Sequence, residues 1–118
     1  MITVKFTMDE ERNMASLHMN GHADAGDVGH DIICASASIL AYTLAQNLLM
    51  VRSKGILKYD PQIKLKRGKA VITCRAVSED DYAEILHIFL IIQTGFQLLA
   101  HNYPEYVVLT MFGEATEP

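Results

Sequence analysis

Hydrophobic and polar residues alternate at the beginning of the chain. Ile2, Val4 and Phe6 occupy every second position between Thr and Lys residues, which is typical of a strand with one buried face. Polar residues 9–13 predict a turn, and the alternation resumes over residues 14–20. The chain is therefore expected to begin with a β-hairpin that ends at Gly21-His22.

The next stretch changes to helical spacing. Apolar residues recur every three or four positions over residues 32–53, and Gly55 follows where a helix would end. Asp31 stands where an N-cap residue is expected. We predict a long first helix that begins near residue 32 and carries Cys34 in its first turn.

A second alternating region covers residues 56–66 and 70–76, and Arg67-Gly68 between them is suited to a tight turn. We predict a second hairpin, with Cys74 on its inward side as a core residue. The hairpin is rich in basic residues, which usually mark a solvated face whose edge lysines oppose aggregation, and a contact with RNA is the alternative. Six of the 10 basic residues lie here: Lys58, Lys64, Lys66, Arg67, Lys69 and Arg75.

Residues 80–102 predict a second helix, capped by Ser78, and residues 106–112 predict a last strand. The order β-β-α-β-β-α-β predicts an α+β sandwich of one domain, residues 1–118, with helices packed on an antiparallel or mixed sheet. Residues 85–92 are apolar on nearly every side of the second helix. This surplus is explained either by burial within the domain or by a homodimer interface.

Composition narrows the class of protein. The chain has 118 residues, of which 50% are hydrophobic, and this is sufficient for one core. Its net charge of -4 argues against nucleic acid as the main ligand, and we expect no direct nucleic-acid binding. The N-terminus lacks the pattern of a signal peptide, and the apolar run 85–100 is short for a membrane span and interrupted by polar residues. We therefore expect a cytosolic protein without membrane contact.

The candidate chemistry lies between the first hairpin and the first helix. A thiol at a helix N-terminus is stabilised as a thiolate, and Cys34 is predicted there with His22 as the base. Ser38 follows Cys34 by four residues and shares its helical face. Asp31 could orient the imidazole, although its N-cap role competes for the same carboxylate. The alternative is that the cysteine and the histidine only pack in the core.

Two glycines, Gly26 and Gly29, lie between these residues in the chain. They predict a segment over residues 24–30 that opens to admit an extended peptide. An ordinary connection between a strand and a helix is the alternative. The segment is not a phosphate-binding loop, because no Gly-Lys-Ser or Gly-Lys-Thr follows.

Zinc binding is the chemical alternative to nucleophilic catalysis. His18, His22, His30 and Cys34 lie at spacings of 4, 8 and 4 residues, and three histidines with one cysteine can hold a tetrahedral ion. The spacing alone leaves this alternative open.

The sequence Gly-His-Ala, a glycine-containing segment and then Gly-x-Asp-Ile-Ile-Cys-Ala-x-x-Ser resembles the signature of the ribosomal-processing cysteine proteases of bacteria. The likeness of length and element order extends over essentially the whole chain. The sequence differs from the commonest form of the family signature at Ile33, Ser36 and Ala37, and these differences bear on substrate preference. The matching positions are Gly29, Asp31, Ile32, Cys34, Ala35 and Ser38.

The resemblance implies a Cys34 nucleophile, a His22 proton carrier, a mobile flap over residues 24–30 and a homodimer. It implies removal of the short N-terminal extension of the large-subunit ribosomal protein numbered twenty-seven. Cleavage would follow an aromatic residue of an apolar peptide, in a hydrophobic groove beside Cys34, with no metal and no cofactor. Only His22 and Cys34 of the four zinc candidates belong to the family pattern. A non-catalytic ribosome-associated binding module and a zinc-binding regulatory domain remain the alternatives.

Overall fold

The computed structural model describes residues 1–22 and 28–114, with the backbone alone for 28–31. These residues form one five-stranded sheet with two long helices packed on one of its faces. The α+β class and the predicted element order are confirmed. In chain order the elements are β1 (Ile2–Asp9), β2 (Met14–Gly21), α1 (Val28–Val51), a 3-10 turn (Arg52–Lys54), β3 (Gln62–Lys66), β4 (Lys69–Arg75), α2 (Glu79–Asn102) and β5 (Val107–Thr110).

The strand order across the sheet is β3-β4-β2-β1-β5. The sheet is mixed, since β1 pairs with β5 in parallel and the other described pairs are antiparallel. Leu17 of β2 lies opposite both Phe6 and Ile72, and all three side chains are fully buried. Directly paired residues point to the same face, so the alternation in the sequence gives one buried face and one open face.

The helices fill the buried face. Phe6 of β1 packs edge-on against Phe96 of α2 and against Phe112, with ring centroids 5.9 and 5.4 Å apart. The two helices approach each other closely at Gly95, where a Cβ atom would lie 2.5 Å from Cδ2 of Leu40. A glycine therefore sets the distance between α1 and α2.

Helix α1 begins at Val28, four residues earlier than predicted. Asp31 is therefore the fourth residue of the helix, and its assignment as the N-cap is wrong. Gly29 was interpreted as a loop residue, whereas it lies in the first turn. First-turn N–H groups have no intrahelical partner, so glycine weakens this part of a helix less than its interior. The predicted end is confirmed at Gly55, whose N–H donates to the carbonyl of Arg52.

Strand β3 is shorter than predicted. It covers Gln62–Lys66, whereas the alternation began at residue 56. Leu57 forms only an isolated bridge to Ala76, and Pro61 immediately precedes the strand. Proline has no N–H to donate, which explains why regular pairing begins after it.

Helix α2 begins as expected, because the Ser78 hydroxyl accepts the N–H of Asp81 at 3.2 Å. Two described helical segments, Ile32–Lys54 and Glu79–Asn102, have the length and hydropathy to cross a membrane. The run 85–100 is part of the second of these segments, which is longer than the run itself. In this fold both helices bury one side against the sheet, as at Leu44 and Phe89.

Candidate active site

A cavity of about 390 Å³ lies where three elements meet: the end of β2, one side of α1 and the β3–β4 turn. His22, Cys34 and Ser38 all line it. These residues are up to 16 positions apart in the chain, and the fold brings them to one site. A base and a thiol in one cavity are the pair of groups that nucleophilic catalysis by cysteine requires.

His22 follows the last residue of β2 and is held from two sides. The N–H of the preceding Gly21 donates to the carbonyl of Gly68 at 2.8 Å, and the Met1 ammonium donates to the carbonyl of His22. The imidazole lies against Gly68, where a Cβ atom would be 2.5 Å from Nε2. Gly68 also has a φ of +75°, so two independent requirements favour glycine there.

Cys34 is half-buried and lines the cavity from α1. It is the seventh helical residue, so the prediction that it lies in the first turn is wrong. In a helix that begins at Val28, the N–H groups without an intrahelical partner lie in the first turn, before Cys34. The expected oxyanion donors of the first turn are therefore not adjacent to the thiol in this conformation.

The second cysteine has a different environment. Cys74 is fully buried in the core, as predicted, and burial raises the pKa of its thiol to about 12. It therefore stays protonated at neutral pH. Of the two cysteines, Cys34 alone reaches the cavity.

The cavity has both polar and apolar walls. Tyr42 and Ala37 of α1 line it beside Cys34, and Met19 and Leu65 line it from the sheet. Such a wall can hold an apolar side chain of a peptide while the thiol remains accessible.

Sequence reasoning missed the contribution of the β3–β4 turn. Lys66, Arg67 and Lys69 line the cavity together with Gly68. The turn reaches His22 only because β4 pairs with β2, a tertiary arrangement that the hydrophobic pattern does not encode. The one local signal in the sequence was Gly68, which predicted a tight turn between the two strands.

Of the four candidate zinc ligands, the structure separates His18 from His22 and Cys34, which line one cavity. His18 is exposed and lies on the open face of the sheet, opposite Lys5 and Val71, whereas Cys34 lies beneath the other face. Within residues 1–22 and 32–114, no group of three or more His, Cys, Asp or Glu side chains could hold a metal ion. The side chains of His30 and Asp31 lie outside the described residues.

The predicted mobile segment is described only in part. Gly26 and the rest of residues 24–27 lie outside the described residues, whereas residues 28–30, including Gly29, form the first turn of α1. The helical backbone of Gly29 corrects the prediction that the loop extends to residue 30.

Comparison with known proteins gives the same assignment as the resemblance. The family model of the cysteine protease Prp matches residues 1–108. A ribosomal processing cysteine protease Prp of Staphylococcus aureus is 30% identical over 111 residues, which are 92% of this chain and 97% of that protein.

Solved structures share the fold. The S. aureus ribosomal processing protease Prp in complex with a substrate peptide has a TM-score of 0.66 and 26% identity, over 95% of this chain and 99% of that chain. The same protease with a covalently linked product peptide has a TM-score of 0.66 and 28% identity over the same shares of the two chains. Because the family model covers nearly the whole chain, this protein belongs to the ribosomal processing cysteine protease family Prp.

Proposed function

We propose that this protein removes the short N-terminal extension of the large-subunit ribosomal protein numbered twenty-seven, with His22 and Cys34 as its catalytic pair. The observation that carries the proposal is that His22, at a strand end, and Cys34, on a helix, line one cavity. A relative solved with a covalently linked product peptide supports peptide chemistry at such a site.

The reaction proceeds in two stages. The Cys34 thiolate attacks the scissile carbonyl, and protonated His22 gives its proton to the leaving amine, which leaves an acyl-enzyme. His22 then removes a proton from water, the hydroxide attacks the thioester, and Cys34 departs as thiolate. The reaction involves no oxidation or reduction, and the nucleophile and the proton carrier are side chains of the protein, so no cofactor is needed.

The cavity walls support an apolar peptide. Met19, Tyr42 and Leu65 offer contact area for the aromatic residue that precedes the cleaved bond. The complex of the S. aureus relative with a substrate peptide supports a peptide ligand in this family.

The working form that we propose is a cytosolic homodimer. Ile91 and Leu98 of α2 are 71% and 61% exposed, and the seven-residue spacing places them on one side of the helix. A second copy of the chain would remove this apolar surface from water. The buried Cys74 is a free thiol, which is compatible with a reducing compartment.

The test is incubation of the purified protein with the extended ribosomal protein, followed by mass spectrometry of the products. The wild-type enzyme is expected to release the extension, and Cys34→Ser and His22→Ala to release none. Cys74→Ala is the matched control, because it removes the other thiol at a distance from the cavity. Release by the Cys34→Ser variant at a rate near that of wild type would refute the nucleophile. An intact extension with wild-type enzyme would refute the substrate.

A further inference from the structure

The open face of the sheet, opposite the helices, carries an unbalanced charge. Its basic residues are Lys5, Lys64, Lys66, Lys69 and Arg75, half of the 10 in the protein. We infer that this open face binds the phosphate backbone of a nucleic acid. The inference goes beyond the proposed protease function and does not depend on it.

The strand register places these cations close together. Lys66 of β3 lies directly opposite Lys69 of β4, and Lys64 lies opposite Val71. Val71 pairs in turn with His18, which pairs with Lys5, so one row of side chains crosses four strands. Residues opposite each other on paired strands have Cβ atoms about 5 Å apart. Lys64, Lys66 and Lys69 therefore form a basic corner of the open face, and Lys5 and Arg75 lie farther away on the same face.

Carboxylates do not neutralise this surface. Among the described strand residues, the one carboxylate on the open face is that of Asp9 at its far end, held by Arg12 at 2.8 Å. The other ion pairs between described residues join Arg52 to Asp60 and Lys54 to Glu84, away from this face. The net charge of -4 thus conceals a separation of charge, which is why composition argued against a polyanionic ligand.

Edge protection does not explain the arrangement fully. Lysines on the edge strand β3 discourage pairing with other chains, but two lysines directly opposite each other repel and destabilise the hairpin. Lys64, two residues from Lys66 on the same face, adds to this repulsion. A bound phosphate group would remove it.

The composition of the open face favours nucleic acid over protein. It has no aromatic side chain in the described strands, and its apolar residues are Val71, Val108 and, at the far end beside Asp9, Met14. A protein interface needs large apolar anchors, whereas Lys, Ser, Thr and Asn side chains are common phosphate contacts. Thr3 and Asn20 add such donors beside Lys69. Without an aromatic platform for the bases, binding should be independent of sequence.

The basic corner adjoins the cavity, because Lys66 and Lys69 line it as well. A nucleic acid on the open face would therefore pass beside the mouth of the cavity. A peptide that is attached to a nucleoprotein particle would be presented to the site by this contact.

The experiment measures fluorescence anisotropy of labelled mixed-sequence RNA, single-stranded and duplex, at about 50 mM and about 200 mM salt. The test variant is Lys64→Gln/Lys66→Gln/Lys69→Gln. The control variant, Arg52→Gln/Lys54→Gln, removes two positive charges that lie away from the open face. A second test variant, Lys5→Gln/Arg75→Gln, covers the other half of the open face.

Wild-type binding should weaken as salt rises, and the test triple should bind at least about tenfold more weakly, with a log–log salt slope lower by about 2. The double variant should also bind more weakly, and the control should stay within about twofold of wild type. The inference is overturned if wild type binds neither RNA at about 50 mM salt, or if the control loses as much affinity. Tighter binding of polyglutamate than of either RNA at equal charge concentration would overturn it in favour of an acidic protein partner. Circular dichroism on each variant verifies the fold.

Discussion

The imidazole of His22 lies directly against the backbone of Gly68, leaving no room for a side chain between them. A Cβ atom at Gly68 would be 2.5 Å from Nε2 and 2.6 Å from Cε1 of the ring. The β3–β4 turn therefore acts as a positioning element for the proposed catalytic base.

We predict that Gly68→Ala lowers kcat/KM for peptide cleavage by about 100-fold, because the new methyl group displaces the imidazole. The matched control is Gly55→Ala, whose φ of +76° is nearly the same but whose Cβ would meet no atom within 4 Å. Both variants should lose about 1–2 kcal/mol of unfolding free energy through the left-handed backbone. Equal activities of the two variants would contradict the prediction.

Thiol accessibility should separate the two cysteines. Iodoacetamide at neutral pH is expected to modify Cys34 in the cavity and to leave the buried Cys74 unmodified. Peptide mapping by mass spectrometry locates the adduct, and addition of urea should expose Cys74. Equal labelling of both thiols in the folded protein would be inconsistent with the structure.

The protein should lose stability in alkaline solution. Burial raises the pKa of the Cys74 thiol from 9.0 to about 12, and it is the main cause of the rise in the pKa of Tyr82 from 10.0 to about 12. Between these values the unfolded chain binds fewer protons than the folded one, so the free energy of unfolding falls as pH rises.

Urea titrations at pH values between 9 and 12 measure this decrease. Cys74→Ala should have a flatter profile than wild type, because it removes one of the two groups. An identical slope in wild type and variant would show that other groups dominate. Tyr82→Phe tests the second group, although it also removes the hydrogen bond to the Met14 carbonyl at 2.9 Å.

Association through α2 gives a further prediction. Ile91→Glu places a charge on the exposed apolar side of the helix and should convert the proposed dimer to a monomer. Val77→Glu is the control, since Val77 is 56% exposed but precedes the helix. Multi-angle light scattering at micromolar concentration distinguishes the two species. A wild-type monomer would contradict the dimer outright.

Local patterns were sufficient for the order of elements. Ile2, Val4 and Phe6 identified a half-buried strand, and the hydroxyl of Ser78 caps α2 as its position predicted. Both signals arise from residues that are close together in the chain, so they can be recognised from the sequence alone.

Contacts between segments that are distant in the chain could not be predicted from local patterns. The approach of Gly68 to His22 and the row from Lys5 to Lys64 both depend on β4 pairing with β2. The start of α1 was also missed, because the glycine at position 29 gave the signal of a loop while the backbone there is helical.

The short turn between β3 and β4 limits how the hairpin can vary. Surface hairpins ordinarily accept insertions, but one extra residue within β3 would slip its register and exchange its faces. Ile63 and Leu65 would then lie on the open face, and the lysines beside them on the face that carries the helices and the cavity. Insertions or epitope tags should be tolerated instead at residues 10–13. This turn joins β1 to β2 and lies at the opposite end of the sheet from the β3–β4 turn. Hairpin length is thus a constraint on natural variation in this protein, independent of which side chains the hairpin carries.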